Sequence, residues 1–216
     1  MCAFVRAFAL PCVLGNECEC ERARARVQAF ISLLLRKGTI MEIRLATMQD
    51  FDAISAVYAD GRAQLAQLGI DQWQSGRPFP ETIRADIQHQ ELYVATEQDI
   101  FLGVAMLSAQ GDTEYDSIDG TWSTPGTSQN PDYLTIHRVA TNTHVARRGT
   151  ATALFGFAEN LARQHHLRAL RVDTHPGNVR MHALLEKLGY THVGSFHLLH
   201  TTEPTKLRYA YEKLLS

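Results

Sequence analysis

The stretch HVARRGTATALFGFAENLA, residues 144–162, sets two arginines, a glycine and small side chains directly ahead of an apolar rhythm of helical period. Ala151, Leu154, Phe155, Ala158, Leu161 and Ala162 share one helical face, so this helix must pack against other structure. Strand-like runs flank it, DYLTIHRVAT before and LRALRVDT after. A helix start presents unpaired main-chain N–H groups and the positive end of the helix dipole. Gly149 permits close approach to that backbone, Thr150 and Ala151 add little bulk, and Arg147 and Arg148 bring charge. The segment is therefore either a pyrophosphate cradle or a tight strand-to-helix turn with solvated arginines. It is neither a P-loop, lacking the Gly-Lys-Ser/Thr ending, nor a GxGxxG turn.

The rest of the body follows the same two periods. MEIRLAT (41–47) alternates as a half-buried strand, and Thr47 stands three residues before Asp50 in a capping-box arrangement. Phe51, Ile54, Val57 and Tyr58 supply the face of the helix that follows; GIDQWQSGRPFP ends it, and Pro80-Glu81 opens a shorter one. ELYVATEQDIFLGVAMLSA predicts two strands around a turn at Gln98-Asp99, with Leu102, Val104 and Met106 on one face of the second. Residues 111–131 are polar and irregular. Tyr115, Ile118 and Trp122 within them imply either a substrate-side loop or one folded back onto the core. In PGNVRMHALLEKLGY, Met181, Leu184, Leu185 and Leu188 keep helical spacing and Gly189 suits a C-terminal cap. THVGSFHLLH and TKLRYAYEKLL read as a closing antiparallel pair. The order β-α-α-β-β-β-α-β-α-β-β predicts an α/β sheet with helices on both faces.

Charge and cysteine placement exclude several classes. The 21 Lys and Arg against 23 Asp and Glu, mixed along the chain, argue against a nucleic-acid surface. No apolar run is long enough to span a bilayer. All the cysteines, Cys2, Cys12, Cys18 and Cys20, precede the body, so no disulfide framework holds it and it reads as cytoplasmic. His192, His197 and His200 lack metal-site spacing, and no metal is expected. Residues 1–40 form an N-terminal extension with three readings. MCAFVRAFALPCVLG faintly resembles a signal peptide but lacks a clear cleavage site and is interrupted by Pro11. Val27, Phe30, Ile31 and Leu34 fit a short amphipathic helix. Lys37-Gly38 can be encoded by an AAGGA-type run just before Met41, like a ribosome-binding site ahead of a start codon. On that third reading Met41 is the natural start, residues 1–40 are translated leader, and 41–216 is the working domain; upstream peptides in mass spectra of the native protein would defeat it.

The succession YLTIHRVAT, ARRGTA opening a long helix, LRVDTHPGN and MHALLEKLGY resembles the GNAT superfamily of acyl-CoA-dependent N-acetyltransferases over residues 41–216. DQWQ and the terminal AYEK further resemble a bacterial branch acting on small molecules. The family's Q/R-x-x-G-x-G/A loop is matched by residues 146–151, with Ala146 where the family has Gln or Arg. The resemblance implies a mixed, mostly antiparallel sheet with two central parallel strands that splay apart. Acetyl-CoA is the implied acyl donor, its arm pairing with the main chain of Val139 and Thr141 in the splay and its diphosphate resting on Arg147, Arg148, Gly149, Thr150 and Ala151. A main-chain N–H of Val139 or Ala140 is the implied oxyanion donor. Asn178 matches a family asparagine that contacts the cofactor arm; it suits a helix N-cap equally well.

The implied reaction is direct attack on the thioester by a primary amine of a small molecule or peptide, which needs a base because amines are protonated near neutral pH. The family glutamate position is Thr135 and the tyrosine that protonates the leaving thiolate is Leu185, so neither usual group is present. His137, Asp173 and His175 are the base candidates, although His137 also suits a packed core histidine and Asp173 a structural partner for it or for Arg138. Tyr190 or Tyr133 could supply a proton through water. Trp73 and Tyr133 are expected at the acceptor pocket, Trp73 alternatively pinning its loop. A homodimer is compatible with the family. The missing glutamate and tyrosine also allow a non-catalytic acyl-CoA-binding regulator, and a ligand-free interaction module is the third class.

Overall fold

The alternation of MEIRLAT forms an edge strand, β1 (Glu42–Leu45), in a computed structural model that describes residues 41–98, 100–145 and 148–216. The readings of residues 1–40 lie outside the described residues, as do Ala146 and Arg147. After β1 come a 3-10 turn (Met48–Asp50), α1 (Phe51–Gln67) and α2 (Pro80–Gln88). β2 (Leu92–Glu97), β3 (Ile100–Ser108), the two-residue β4 (Asp119–Gly120) and β5 (Tyr133–Thr141) follow. α3 (Thr150–Gln164), β6 (Ala169–Thr174), α4 (Val179–Lys187), β7 (Thr191–His197) and β8 (Leu207–Leu214) complete the order. Among the described residues the sheet has eight strands in the order β1-β2-β3-β5-β6-β8-β7-β4, antiparallel except for the β5/β6 pair. The mixed sheet and the closing β7/β8 hairpin are as expected; β4 is an addition, built inside the segment read as irregular.

Local signals set the helix ends. Asp50 accepts from the Thr47 N–H at 2.7 Å and from its hydroxyl at 3.0 Å, and takes both arms of the Arg44 guanidinium at 2.8 and 2.9 Å. Those bonds, led by the one from Arg44, hold its carboxyl at about 2. Pro80 opens α2 at a position where a missing N–H costs nothing. Gly189, with φ 79°, donates to Glu186 C=O at the end of α4.

One face of the sheet packs α3 and α4: Leu154, Phe155, Ala158 and Leu185 bury against Leu134, Ile136, Leu170 and Val172. The other is divided. Ile54, Val57 and Tyr58 of α1 and Ile83 and Ile87 of α2 cover Val94, Val104 and Met106. Over β6–β8, residues 111–131 take the place of a helix, with Tyr115 buried among Tyr133, Ala169, Phe196 and Ala210. Arg171, fully buried, holds this loop through the C=O groups of Thr124 and Gly126 and pairs with Glu212. The segment therefore folds back onto the core.

Two irregularities overturn simple alternation. The β2/β3 register skips between Ala95 and Thr96, so Leu102 drops out of phase with Val104 and Met106 and joins the cluster under α3. The expected single face for those three residues fails because a bulge shifts side-chain phase by one residue. The β3/β5 register shifts likewise between Val104 and Met106, opposite Ala140 and His137, and Arg138 sits there with φ 52°. That second bulge lies beside the site.

Candidate active site

β5 and β6 pair only from Tyr133/Ala169 to Ile136/Val172. Beyond Ile136, β5 continues to Thr141 alongside β3 alone. The two strands diverge there, and the gap between them is a cavity of about 270 Å³. Arg138, Val139, Ala140 and Thr141 of β5 face Val172, Asp173 and Thr174 of β6 across it. Gly61, Gln64 and Leu65 of α1 and Leu68 just past its end close it on one side, and Ala151, Asn178, Met181 and Leu184 close it from the opposite face of the sheet. At the mouth, Gln64 Nε2 donates to Thr141 C=O at 3.2 Å.

α3 begins beside this gap. Gly149 precedes it with φ 73° and ψ 17°, a left-handed conformation that glycine adopts without strain. Among the described residues a Cβ placed on Gly149 would meet nothing within 4 Å, so they leave the first turn open on that side. Its leading N–H groups have no helical partner, which is the donor set an anion needs. Arg148 is exposed and pairs with Glu97 of β2. Thr150, the first residue of α3, is buried. Asn178 caps α4, Oδ1 accepting from Met181 N–H at 3.2 Å, and also lines the gap. Val139, Ala140, Thr141, Ala151 and Asn178 are thus brought to one cavity, and the helix start at residues 148–150 lies at its edge.

A second cavity of about 230 Å³ adjoins the first, sharing Gln72, Trp73, Arg138 and Asp173 with it. Arg77, Thr82, Asp112, His137, Glu203 and Arg208 line the remainder. Trp73 stands edge-on to Tyr58, with ring centroids 5.8 Å apart, and its main-chain N–H donates to Glu203 at 2.8 Å. It walls both cavities, and its main-chain bond to Glu203 also pins its loop.

His137 is the centre of a polar chain. Its Nε2 is 2.8 Å from Asp112 Oδ2, and its Nδ1 is 3.5 Å from Asp173 Oδ1. Asp173 Oδ1 also accepts from the buried Tyr115 hydroxyl at 2.8 Å, and Arg208 Nε lies 3.8 Å from the other oxygen. Burial works to raise the Asp112 carboxyl, but the hydrogen bond and charge of His137 outweigh it and leave Asp112 below the usual value. Burial, reinforced by Asp173, pushes the Tyr115 phenol far above its usual range, so it stays a donor. Arg138 binds Asp86 of α2 with two hydrogen bonds of 2.9 Å, which fixes the bulged residue between the cavities.

Three expectations need correction. His175 lines neither cavity: its Nδ1 accepts from Gly177 N–H at 2.9 Å, and Nε2 lies 3.2 Å from Asp71 without hydrogen-bond alignment. Burial and then the Arg208 charge hold it below the ordinary imidazole value. It ties the β6–α4 turn to the loop after α1. Tyr133 has no exposed surface; its hydroxyl accepts from Asp112 N–H at 3.0 Å and its ring lies 3.9 Å under the Arg171 guanidinium. It supports the site from beneath instead of meeting an acceptor. Tyr190 packs edge-on to Phe155 and lines neither cavity, and burial raises its phenol above the ordinary value. Leu185, at the family tyrosine position, is core, and Thr135 is buried with an unpartnered hydroxyl. Asp112, Tyr115 and Arg208 were not anticipated. Asp112 sits 25 residues from His137 and Tyr115 58 from Asp173, and no local spacing signals such pairs.

With this geometry in place, comparisons with known proteins are informative. The Acetyltransferase (GNAT) family model matches residues 62–190. A GNAT-family acetyltransferase from Streptococcus agalactiae 2603 is 32% identical, with 82% of this chain and 96% of that one covered and a TM-score of 0.71. A candidate acetyltransferase from Staphylococcus aureus Mu50 is 25% identical over 81% of this chain and 99% of that one, with a TM-score of 0.59. A candidate acetyltransferase from Salmonella typhimurium, solved with its cofactor acetyl-CoA, shares the fold at 15% identity, with a TM-score of 0.58 and 82% and 94% covered. No curated protein matches the chain. The open helix start, the diverging central strands and the matched family model agree: this chain belongs to the GNAT family of acetyltransferases, enzymes of acyl-CoA-dependent acetyl transfer.

Proposed function

We propose that the protein transfers an acetyl group from acetyl-CoA to the primary amine of a small molecule or peptide, with the donor arm in the β5/β6 gap and the amine in the adjoining cavity. The observation that carries this reading is the shared wall: Trp73, Arg138 and Asp173 line both cavities, so two substrates held in them would meet at that seam. The donor supplies an activated acyl group, whose C–S bond breaks as the amine nitrogen forms the new N–C bond and coenzyme A leaves as a thiol or thiolate.

The side chains at the seam divide the remaining work. A carboxylate can only accept, so the 2.8 Å contact to Asp112 sets the His137 proton on Nε2 and leaves Nδ1 with a lone pair. Nδ1 and Asp173 Oδ1 are then two acceptors 3.5 Å apart, a pair complementary to the N–H groups of an incoming ammonium. His137 takes the amine proton at Nδ1, and Asp112 and Asp173 hold the resulting positive charge from both sides. Tyr115 and Arg208 position Asp173. Main-chain N–H groups of Val139 or Ala140, past the bulge, are the donors for the developing oxyanion. The first turn of α3, with Gly149, takes the diphosphate, and Arg148, paired with Glu97, stands next to it in the chain. Asn178 contacts the donor arm.

Thiol release from acetyl-CoA across an amine panel tests the reading. Turnover that falls by about 10²- to 10⁴-fold in His137→Gln, with acetyl-CoA binding retained, supports it. Full turnover in that variant removes His137 as the base. Acetyl-CoA binding without turnover on any amine favours a non-catalytic acyl-CoA-binding regulator, for which the buried Thr135 and Leu185 at the family's base and acid positions, respectively, are the motive.

A further inference from the structure

Groups of both charges line the second cavity, and the chemistry above leaves Arg77 unused. Three guanidinium groups line it: Arg77, Arg138 and Arg208. Arg138 is committed to Asp86 and Arg208 to Glu203. Arg77 has no carboxylate partner among the described residues; its Nη2 donates only to the His200 C=O at 3.0 Å. Its Nε is shielded from water yet has no hydrogen-bond partner among the described residues, an arrangement that costs free energy unless something else supplies an acceptor. The acidic pole, Asp112 and Asp173 around His137, faces the same space.

From this charge layout, and resting on the transfer reading above, we infer that the acceptor is a small amine that also carries an anionic group, a carboxylate or phosphate held by Arg77 while the amine meets His137 and Asp173. A neutral alkylamine would occupy the acidic pole and leave the Arg77 guanidinium uncompensated. An amino acid or a related zwitterion satisfies both. The size agrees: about 230 Å³ lies under the roughly 300–1,000 Å³ typical of drug-sized ligand pockets, which suits a compact acceptor. A planar guanidinium also recognises carboxylate or phosphate oxygens with paired hydrogen bonds, so Arg77 would set specificity as well as charge.

The test compares matched acceptors: amino acids against their amides, amino carboxylates against alkylamines of equal length, and the corresponding aminophosphonates. The wild-type enzyme should prefer each anionic acceptor by about 10- to 100-fold in kcat/KM, mainly through KM, the range expected for one charge-assisted contact. Arg77→Met should collapse that ratio toward one, and Arg77→Lys should restore part of it. The phosphonate arm decides which anion the site favours. A ratio near one in the wild type, or an unchanged ratio in Arg77→Met, overturns the inference. Calorimetric binding of the same acceptors in the presence of coenzyme A reads the cavity without turnover. Selective, Arg77-dependent binding with no acetylation would sustain this inference while refuting the transfer reading; equal binding of charged and neutral acceptors would refute the inference alone. An unchanged acetyl-CoA-induced thermal shift in Arg77→Met confirms that the variant is folded.

Discussion

Replacing Gly149 with alanine separates backbone strain from loss of ligand binding. The residue sits at φ 73° and ψ 17°, and an added Cβ would find no heavy atom of the described residues within 4 Å. No clash is therefore created, and the cost to the free protein is the left-handed conformation itself, about 1–2 kcal/mol for a residue with a Cβ. For a domain of this size that corresponds to a melting-temperature drop of about 2–8 °C. The new methyl group nevertheless projects into the open side of the α3 start, the space assigned to the diphosphate. Acetyl-CoA at 100 times its Kd should stabilise the parent by about 2.7 kcal/mol, and most of that increment should vanish in Gly149→Ala. Gly156 provides the control. It lies within α3, it too has open space where a Cβ would go, and its φ is not positive. Gly156→Ala should raise stability by about 0.5–1 kcal/mol and keep the full acetyl-CoA increment. Differential scanning fluorimetry with and without acetyl-CoA, backed by calorimetric Kd values, reads both quantities. If Gly149→Ala melts lower yet binds acetyl-CoA as tightly as the parent, the helix start is not the anion site and the argument collapses.

Three further outcomes follow from other contacts. Tyr115→Phe removes the 2.8 Å donor to Asp173, which should cost about 1–3 kcal/mol in chemical denaturation and lower kcat more than it raises the acceptor KM; unaltered kinetics would leave Tyr115 a packing residue only. Gly61→Ala would bring a Cβ to 3.2 Å from Trp73 Cζ3 and 3.3 Å from the Ala140 Cβ. The strain, about 1–3 kcal/mol less any helix-propensity gain, should push Trp73 into the cavities and raise the acceptor KM, so an unchanged KM would show that Trp73 is no part of the acceptor wall. Asp50, held at about 2, contributes stability that is fully present above the unfolded carboxyl value near 3.9 and lost as pH falls through 2. Asp50→Asn should therefore lower the urea midpoint at pH 6 and flatten its dependence between about pH 4 and pH 2; a parallel pair of curves would contradict the assigned ion pair.

The sequence was readable wherever the relevant physics is local. Thr47 and Asp50, Pro80 and Gly189 each mark a helix end through a contact within a few residues, and the structure uses them so. The buried residues of α1 and α3 fall at positions expected from helical spacing, and in α4 Leu185 is buried while Met181, Leu184 and, at its C-cap, Leu188 pack half-buried against the same core. Alternation failed for Leu102, because a bulge is a property of the paired strand and leaves no mark on its own sequence. Tyr133 carried the right side of β5 but the wrong depth: period-two spacing cannot tell a buried floor from a cavity wall once a loop covers the strand. His175 was near the correct strand end, yet its Nδ1 is taken by Gly177 N–H and its ring lines neither cavity.

What the amino-acid order determined alone was the succession of strands and helices, the open glycine before α3 and the absence of the family's glutamate and tyrosine at Thr135 and Leu185. These are matters of residue identity and of periods of two and 3.6. What only the folded chain decided was the polar chain itself. Asp112 reaches His137 from an irregular loop, Tyr115 meets Asp173 after folding onto the sheet, and Arg77 enters the neighbouring cavity from a loop held by Glu203 and His200. Such contacts join segments far apart in the chain, and their positions are set by how the sheet, its bulges and its covering loops pack together.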